Sequence, residues 1–459
     1  MPVKKIVAPK EAEPKELKEK VVEEVQPAGK KTKTPQLLRG FRDVLPEEQV
    51  YWDAVRRTAE DVARAYSFDR VELPILEPVE LFVRSVGKQT DIVEKEMFAF
   101  QDASGTNVVM RPEATASTAR AYIEHGMVDR PQPVKMFYMG PMFRYDRPQA
   151  GRYRQFNQFG FEVFGSNEPI VDAQLIVALN AYFKQLGLPV VMHMNSIGTP
   201  EARAQYKVEL VAHYRKHRNA ICEDCKRRIV KNPMRVLDCK EEGCQPIKAE
   251  APQILDFLDE ASKEHFMKVL EFLDEMEVRY VLSPYLVRGL DYYSRTVFEI
   301  YAADVAEDTG QQSALGGGGR YDGLVELLGG RPTPAVGFAM GMERIVSALR
   351  DRNIEPPSQK AVVFLAPLGD AARRKGLALF EALRTAGIPS AEAFGKAALK
   401  AQLEASDRLK VQYTLILGQK EVLDGTIIIR DMESGAQETV DINKVVGILQ
   451  KKMEVAKQG

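Results

Sequence analysis

The sequence predicts an α+β fold: a largely antiparallel sheet interrupted by a helical insertion, followed by a small α/β domain. Three observations carry that reading. Strand-like runs follow one another with few crossover helices between them, namely "DRVELPI", "NVVMRPE", "VKMFYMGPMFRYD" and "FNQFGFEVFG". From 199 to about 280 the chain turns charged and helical in pattern, as an inserted subdomain would. After the linker "NIEPPSQK" (353–360) come "AVVFLAPLG", a helix, a short strand, a helix and "VQYTLILG", an alternation that predicts a compact α/β unit over 360–459.

The elements follow in order. Residues 1–35 are rich in Lys, Glu and Pro and carry no aromatic residue. They bury too little apolar surface to offset chain entropy, so a disordered or transiently helical extension is expected. Its glutamates count against an organelle transit peptide. The folded part, 36–355, opens with Trp52, Val55, Ala59, Val62 and Tyr66 stepping by three and four, which predicts an amphipathic helix over 47–67. A chain of 459 residues exceeds one ordinary core, and 45% hydrophobic with 28% charged residues is a soluble globular composition. No apolar run approaches the roughly 18 residues of a membrane span, and no secretory segment follows the start. With a net charge of −1, any nucleic acid must be held by local basic patches. Four clustered cysteines fit a reducing compartment, and the cytoplasm is the expected location.

The chemistry begins at "FNQFGFEVFG" (156–165). As a strand, it turns Asn157, Phe159, Phe161 and Val163 to one face and Gln158, Gly160 and Glu162 to the other. Glycine inside a strand marks either a close approach to the backbone or a bulged, solvent-facing edge. No G-x-x-x-x-G-K-[ST] occurs, so a P-loop is excluded. "GGGGRYDG" (316–323) does not match a dinucleotide fingerprint and alone reads as a flexible turn. In "AVGFAMGMERI" (335–345), Gly337, Ala339 and Gly341 form a stripe of small side chains beside Arg344. That suits an adenine with its phosphates, or simply close helix–strand packing. "FRYDRPQAGRYRQF" (143–156) aims Arg144, Arg147, Arg152 and Arg154 around a turn, which suits a polyphosphate, or is simply a solvated charged face.

These residues resemble the class II aminoacyl-tRNA synthetases. "FRYD", a loop and "RYRQF" resemble their motif 2; "VGFAMGMERI" resembles motif 3; "LPILEPVELF", around Pro78, resembles motif 1 of the dimer interface. "LVRGLDYYSRTVFE" (286–299) and "ALGGGGRYDGL" (314–324) resemble the signatures of the histidyl-tRNA synthetase family, and the likeness runs from about 37 to the C-terminus. The resemblance implies activation of L-histidine with ATP and Mg²⁺, transfer to the 3′ adenosine of histidine tRNA, a homodimer, and a C-terminal anticodon-binding domain. It implies that Gln158 and Glu162 hold the amino group and imidazole of histidine, with Gly160 leaving room between them. "RPEAT" (111–115) then supplies Glu113 and Thr115, and Tyr292 and Tyr293 close over the imidazole with Tyr321 beside them. Arg144 would bind the carboxylate and α-phosphate with Arg288 opposite, and Arg152 the distal phosphates. Arg344 and Phe156 would sandwich the adenine, with Asp146 towards its amino group. Gln149 is a candidate for reading the extra 5′ guanosine of the tRNA.

The sequence departs from the family pattern at Asp146, one methylene shorter than the usual Glu, and at Tyr145, Asn157 and Ala114. Two alternatives resemble it less. A regulatory subunit of ATP phosphoribosyltransferase typically lacks both the Arg-bearing signature and the C-terminal module. A class II enzyme for threonine, proline or glycine lacks the tyrosine pair and the Gln158/Glu162 floor. Separately, Cys222-x₂-Cys225 and Cys239-x₄-Cys244 have a spacing that suits a structural tetrahedral zinc, with free thiols as the alternative. His213 and His217 could lend a ligand.

Overall fold

The computed structural model describes residues 34–456 apart from 88–89, 148–150, 304–313, 357–360 and 396–397, with side chains to 453. The expected extension lies outside the described residues but for its last two, and Gln149 lies outside them as well. The chain divides after Pro356 into two compact units.

In the first unit, helix α1 (Gln49–Ala65) buries Trp52, Val55, Ala59 and Val62, the residues whose spacing predicts it. Short strands β1 (Asp69–Arg70) and β2 (Leu76–Pro78) follow, then β3 (Phe98–Gln101) and β4 (Asn107–Met110). β2, β4 and β3 make a small antiparallel sheet. After helix α2 (Thr115–Glu124) come the long hairpin strands β5 (Val134–Phe143) and β6 (Gln155–Phe164). Helix α3 (Pro169–Gln185) leads to β7 (Val190–Ser196).

The charged stretch from 199 then divides. Helices α4 (Pro200–Lys216) and α5 (Glu223–Lys231) and several single turns pack with the second core cluster, around Tyr206, Leu210, Ile229 and Leu237. Helix α6 (Glu260–Glu275) buries Phe266, Val269, Leu270 and Leu273 in the first cluster, against α3. It feeds β8 (Tyr280–Leu282), a strand of the main sheet. Strands β9 (Ser294–Ala302), β10 (Gly316–Arg320) and β11 (Ala335–Gly341) complete that sheet, and helix α7 (Met342–Asp351) follows.

The eight strands run in the order β1-β5-β6-β11-β10-β9-β7-β8, and all pairs are antiparallel except the two edge pairs. The glycine run 316–319 is therefore a central strand and not a turn. One face of the sheet, carrying Phe159, Phe161, Val336, Phe338, Met340, Phe298 and Ile300, is buried in the first cluster with α1, α3 and α6. Each such side chain removed from water contributes about 1.5–3 kcal/mol, so the period-two pattern of β6 fixes which face is left for chemistry.

In the second unit, β12 (Val363–Pro367), β13 (Ser390–Glu392) and β14 (Tyr413–Leu417) are parallel neighbours, joined through helices α8 (Asp370–Thr385) and α9 (Leu399–Arg408). β15 (Thr426–Asp431) and β16 (Gln437–Asp441) extend the sheet antiparallel to give the order β13-β12-β14-β15-β16, and helix α10 (Val445–Ala456) ends the chain's described part.

Candidate active site

The free face of the main sheet is assembled row by row. Tyr138 stands opposite Gly160, Gly160 opposite Ala339, Ala339 opposite Gly317, and Gly317 opposite Glu299. Directly opposed residues share a face, so three nearly bare positions separate a tyrosine from a glutamate. A cavity of about 510 Å³ opens here, with Gln158, Ala339, Gly341, Gly317 and Glu299 among its lining.

Each glycine has a different occupant. A Cβ on Gly160 would collide with the Tyr138 hydroxyl and the Phe338 carbonyl oxygen. This corrects the expectation for Gly160: the space it leaves belongs to Tyr138 and not to a ligand between Gln158 and Glu162. Gly337, likewise, is bare because the Glu162 carboxylate fills the position. A Cβ on Gly317 would lie 2.6 Å from Nη1 of Arg288, so bare backbone there seats a guanidinium.

The polar end of the cavity is built on the start of α2. Glu113 accepts from the backbone N–H of Thr115 at 2.6 Å and of Ala116 at 3.0 Å, closing the open first turn. The Thr115 hydroxyl donates to one Glu162 oxygen at 2.7 Å, and the Tyr321 hydroxyl donates to the other. Glu162 is fully buried, and burial pushes its carboxyl up to about 8 while the Tyr321 and Thr115 hydroxyls oppose the shift. Burial also raises Glu113 above the ordinary carboxylate range. Glu113, Thr115, Gln158, Tyr292 and Tyr293 line the cavity, whereas Glu162 and Tyr321 stand behind that lining. The rings of Tyr292 and Tyr293 lie 4.7 Å apart, with Tyr321 5.6 Å from Tyr292. Oε1 of Gln158 is buried with no hydrogen-bond partner among the described residues.

The other end is cationic. Arg144, Arg152, Arg288 and Arg344 all line the cavity, as do Asp146 and Phe156. Arg144 donates from Nε to the Pro112 carbonyl at 2.9 Å and its guanidinium lies 5.3 Å from the Phe156 ring centre. Arg288 pairs with Glu299 at 2.5 Å and lies 5.5 Å from the Tyr293 ring centre; its Nε is buried and unpartnered among the described residues. Arg152 is paired with Asp146 at 3.3 Å. Arg344 donates to the Ala314 carbonyl at 2.5 Å.

Several lining residues escape sequence reasoning. Glu299 closes the quoted run "LVRGLDYYSRTVFE", yet only the sheet register reveals it as the partner of Arg288, held in turn by the Tyr301 hydroxyl at 2.6 Å. Glu343 accepts from the backbone and side-chain N–H groups of Asn157 at 2.8 and 3.1 Å, tying α7 to β6. Glu96, Arg228 and Arg235 also reach the cavity, the last two from the charged stretch after 199, where no local pattern announces them.

The four cysteines converge, their sulfurs all within 4.8 Å of one another. His213 donates from Nε2 to the Ile247 carbonyl at 2.8 Å and His217 from Nδ1 to the His213 carbonyl at 3.1 Å, so the histidines are not part of that group.

Chemically, the cavity pairs a set of guanidiniums suited to phosphates and a carboxylate with a buried carboxyl–hydroxyl end suited to a small amine. Comparison with known proteins agrees. Residues 40–345 match the family described as Histidyl-tRNA synthetase, and 362–452 match an Anticodon binding domain. The chain is 44% identical over 422 residues to a histidine–tRNA ligase of Pelotomaculum thermopropionicum, covering 92% of this chain and 98% of that one. It is 44% identical over 417 residues to one of Dehalococcoides mccartyi, covering 90% and 99%. The apo histidyl-tRNA synthetase of S. aureus superposes with a TM-score of 0.74 at 34% identity, over 90% of this chain and 99% of that one. The chain belongs to the histidyl-tRNA synthetase family.

Proposed function

We propose that the protein activates L-histidine with ATP to histidyl-adenylate, releasing pyrophosphate, and transfers the histidyl group to the 3′ adenosine of histidine tRNA. The observation that carries this reading is the single cavity holding Arg144 and Arg288 at one end and Glu113, Thr115, Gln158 and the tyrosine pair at the other. In the first step the substrate carboxylate attacks the α-phosphorus and pyrophosphate leaves. Negative charge grows on the α-phosphate oxygens, and two preorganised guanidiniums, Arg144 and Arg288, stabilise it. Mg²⁺ enters with the ATP phosphates as part of that substrate and neutralises their charge. No general base is required, since a carboxylate is already a nucleophile.

Gln158, whose buried Oε1 awaits a donor, and Glu113 receive the ammonium group of histidine. Glu162, with Thr115 and Tyr321, fixes the imidazole beneath Tyr292 and Tyr293. Arg152 takes the distal phosphates once released from Asp146, and Phe156, Arg344 and Asp146 hold the adenine. A site that hydrogen-bonds the polar groups of its substrate rejects analogues lacking them by about 10⁴–10⁵, which makes editing unnecessary. The second unit, matching the Anticodon binding domain, binds the tRNA. The working form is a cytoplasmic homodimer, and the four cysteines hold a structural zinc.

The test is ATP–pyrophosphate exchange with each of the twenty amino acids offered separately. Exchange with histidine alone is expected. Exchange with another amino acid overturns the specificity, and no exchange at all favours a regulatory paralogue without catalysis. Light scattering at twice the chain mass tests the dimer.

A further inference from the structure

Cys222 caps the N-terminus of α5, which places Cys225 in its first turn on the same side, and the chain returns through Cys239 and Cys244. Three of the four thiols are buried and Cys222 is half-buried. Tetrahedral zinc with bonds of about 2.3 Å sets its sulfurs about 3.8 Å apart, and Cys222 and Cys239 have that separation, 3.8 Å. Two backbone N–H groups already point at sulfur, Cys225 to Cys222 at 3.4 Å and Cys222 to Cys244 at 3.2 Å. Such bonds support thiolate ligands, and the first of them also caps α5.

The residues between the two pairs, 226–238, run to the wall of the active cavity. Arg228 and Arg235 line it. Arg235 pairs with Asp238 and approaches Asp91 at 3.9 Å, while Arg228 donates to its carbonyl at 3.5 Å. Lys231 pairs with Glu94 at 3.2 Å, and Asn232 donates to Asp291 at 3.0 Å, beside Tyr292. Gly289 leaves room for Arg235, since a Cβ there would lie 3.3 Å from its Nη1. The segment thus bridges the 91–96 side of the cavity and the Arg288–Tyr293 side, with its own two ends gathered at the cysteines.

We propose that Cys222, Cys225, Cys239 and Cys244 bind one Zn²⁺ and that this metal holds Arg228 and Arg235 in the cavity wall, making ATP affinity depend on a zinc site that contains no catalytic residue. The second half rests on the reading of the cavity as an ATP site. With the metal, a 23-residue excursion (222–244) is closed into short loops and its arginines are presented in fixed positions. Without it, the four neighbouring thiols supply apolar packing and two weak N–H to sulfur hydrogen bonds.

The test uses the full-length protein purified without chelator. About one zinc per chain is expected, with tetrahedral cobalt–thiolate absorption after metal exchange; less than about half an equivalent, or no such absorption, overturns the site. Trypsin is then applied to the zinc-loaded and chelator-treated forms. Cleavage at Arg227, Arg228, Lys231 or Arg235 only after metal removal supports the staple, and equal cleavage in both forms overturns it. Finally, ATP binding is measured by calorimetry for the wild type and Arg235→Ala, each with and without metal. Each change alone should weaken binding roughly tenfold, the scale of one charge-assisted hydrogen bond, and the two together little further. Full additivity, or ATP binding indifferent to metal, overturns the coupling. Metal content and cleavage are read without substrate, so failure of the ligase reading shows separately, as absent exchange with all amino acids.

Discussion

Glu162→Gln separates the role of a buried charge from that of a buried shape. Glu162 is fully buried between the Thr115 and Tyr321 hydroxyls and is pushed up to about 8, so in the free protein at neutral pH it is mostly uncharged. The ionised fraction is about 1% at pH 6 and half at pH 8, a rise of roughly fifty-fold. If the carboxylate is the form that holds histidine, kcat/KM for histidine carries that factor, because this ratio reports ionisations of the free enzyme. The amide keeps the shape and one acceptor, and the titration of the substrate is common to both proteins. The wild-type to Glu162→Gln ratio of kcat/KM in pyrophosphate exchange should therefore climb by about fifty-fold from pH 6 to 8 and by about a further twofold before it levels. At the plateau the ratio should be about 10–150, the range of a charged hydrogen bond worth ~1.5–3 kcal/mol. Stability should move the other way. The folded value lies above the ordinary 4.5, so the stabilising contribution is full below that pH and is lost as pH rises towards 8. The urea midpoint of the wild type should fall over that window relative to the variant. A kcat/KM ratio constant across pH 6–9 would refute a charge role for Glu162.

Other perturbations address the rest of the cavity. Arg288→Ala should cut adenylate formation by about 10²–10³, the scale of one preorganised donor, in single-turnover assays; a few-fold drop sinks its assignment to the α-phosphate. Gly317→Ala places a methyl 2.6 Å from the Arg288 guanidinium and against the Phe298 carbonyl. It should lose about 1–3 kcal/mol of stability and depress exchange more than Arg288→Lys does, and unchanged exchange would mean that the guanidinium has room to spare. A chain ending at Pro356, the limit of the first unit, should retain pyrophosphate exchange while losing tRNA charging. Equal loss of both would undercut the division of labour.

Much of the framework is readable from local pattern. The two faces of β6 follow from strict alternation, and the burial of Phe159, Phe161 and Val163 leaves Gln158 and Glu162 together on the other side. The convergence of the cysteines follows from their spacing. What the local pattern lacks is register. That Gly160 faces Tyr138, that Gly337 accommodates Glu162, and that Glu299 meets Arg288 all depend on which residue of a neighbouring strand lies opposite. The glycine run 316–319 has low strand propensity and reads as a turn, because what approaches it in the strand is distant in sequence: Arg288, about 30 residues away, at Gly317, and the neighbouring strands at Gly316, Gly318 and Gly319. Arg228 and Arg235 give no local signal for a related reason: their helix and turn carry ordinary surface charge, and only the path of the insertion brings them to the cavity.

The glycine and alanine row across the sheet also limits how this pocket can change. A wall made of side chains can be cut back by mutation to admit a larger amino acid. A wall made of main chain has nothing left to trim: every substitution at Gly317 or Gly341 can only make the room smaller, and Ala339→Gly frees no more than one methyl. Enlargement must therefore come from the side chains around that row, such as Thr115, Gln158, Tyr292 and Tyr293, or from behind the lining at Tyr138 and Tyr321. Those side chains, and not the bare row of the sheet, are where variation in substrate size would have to be written.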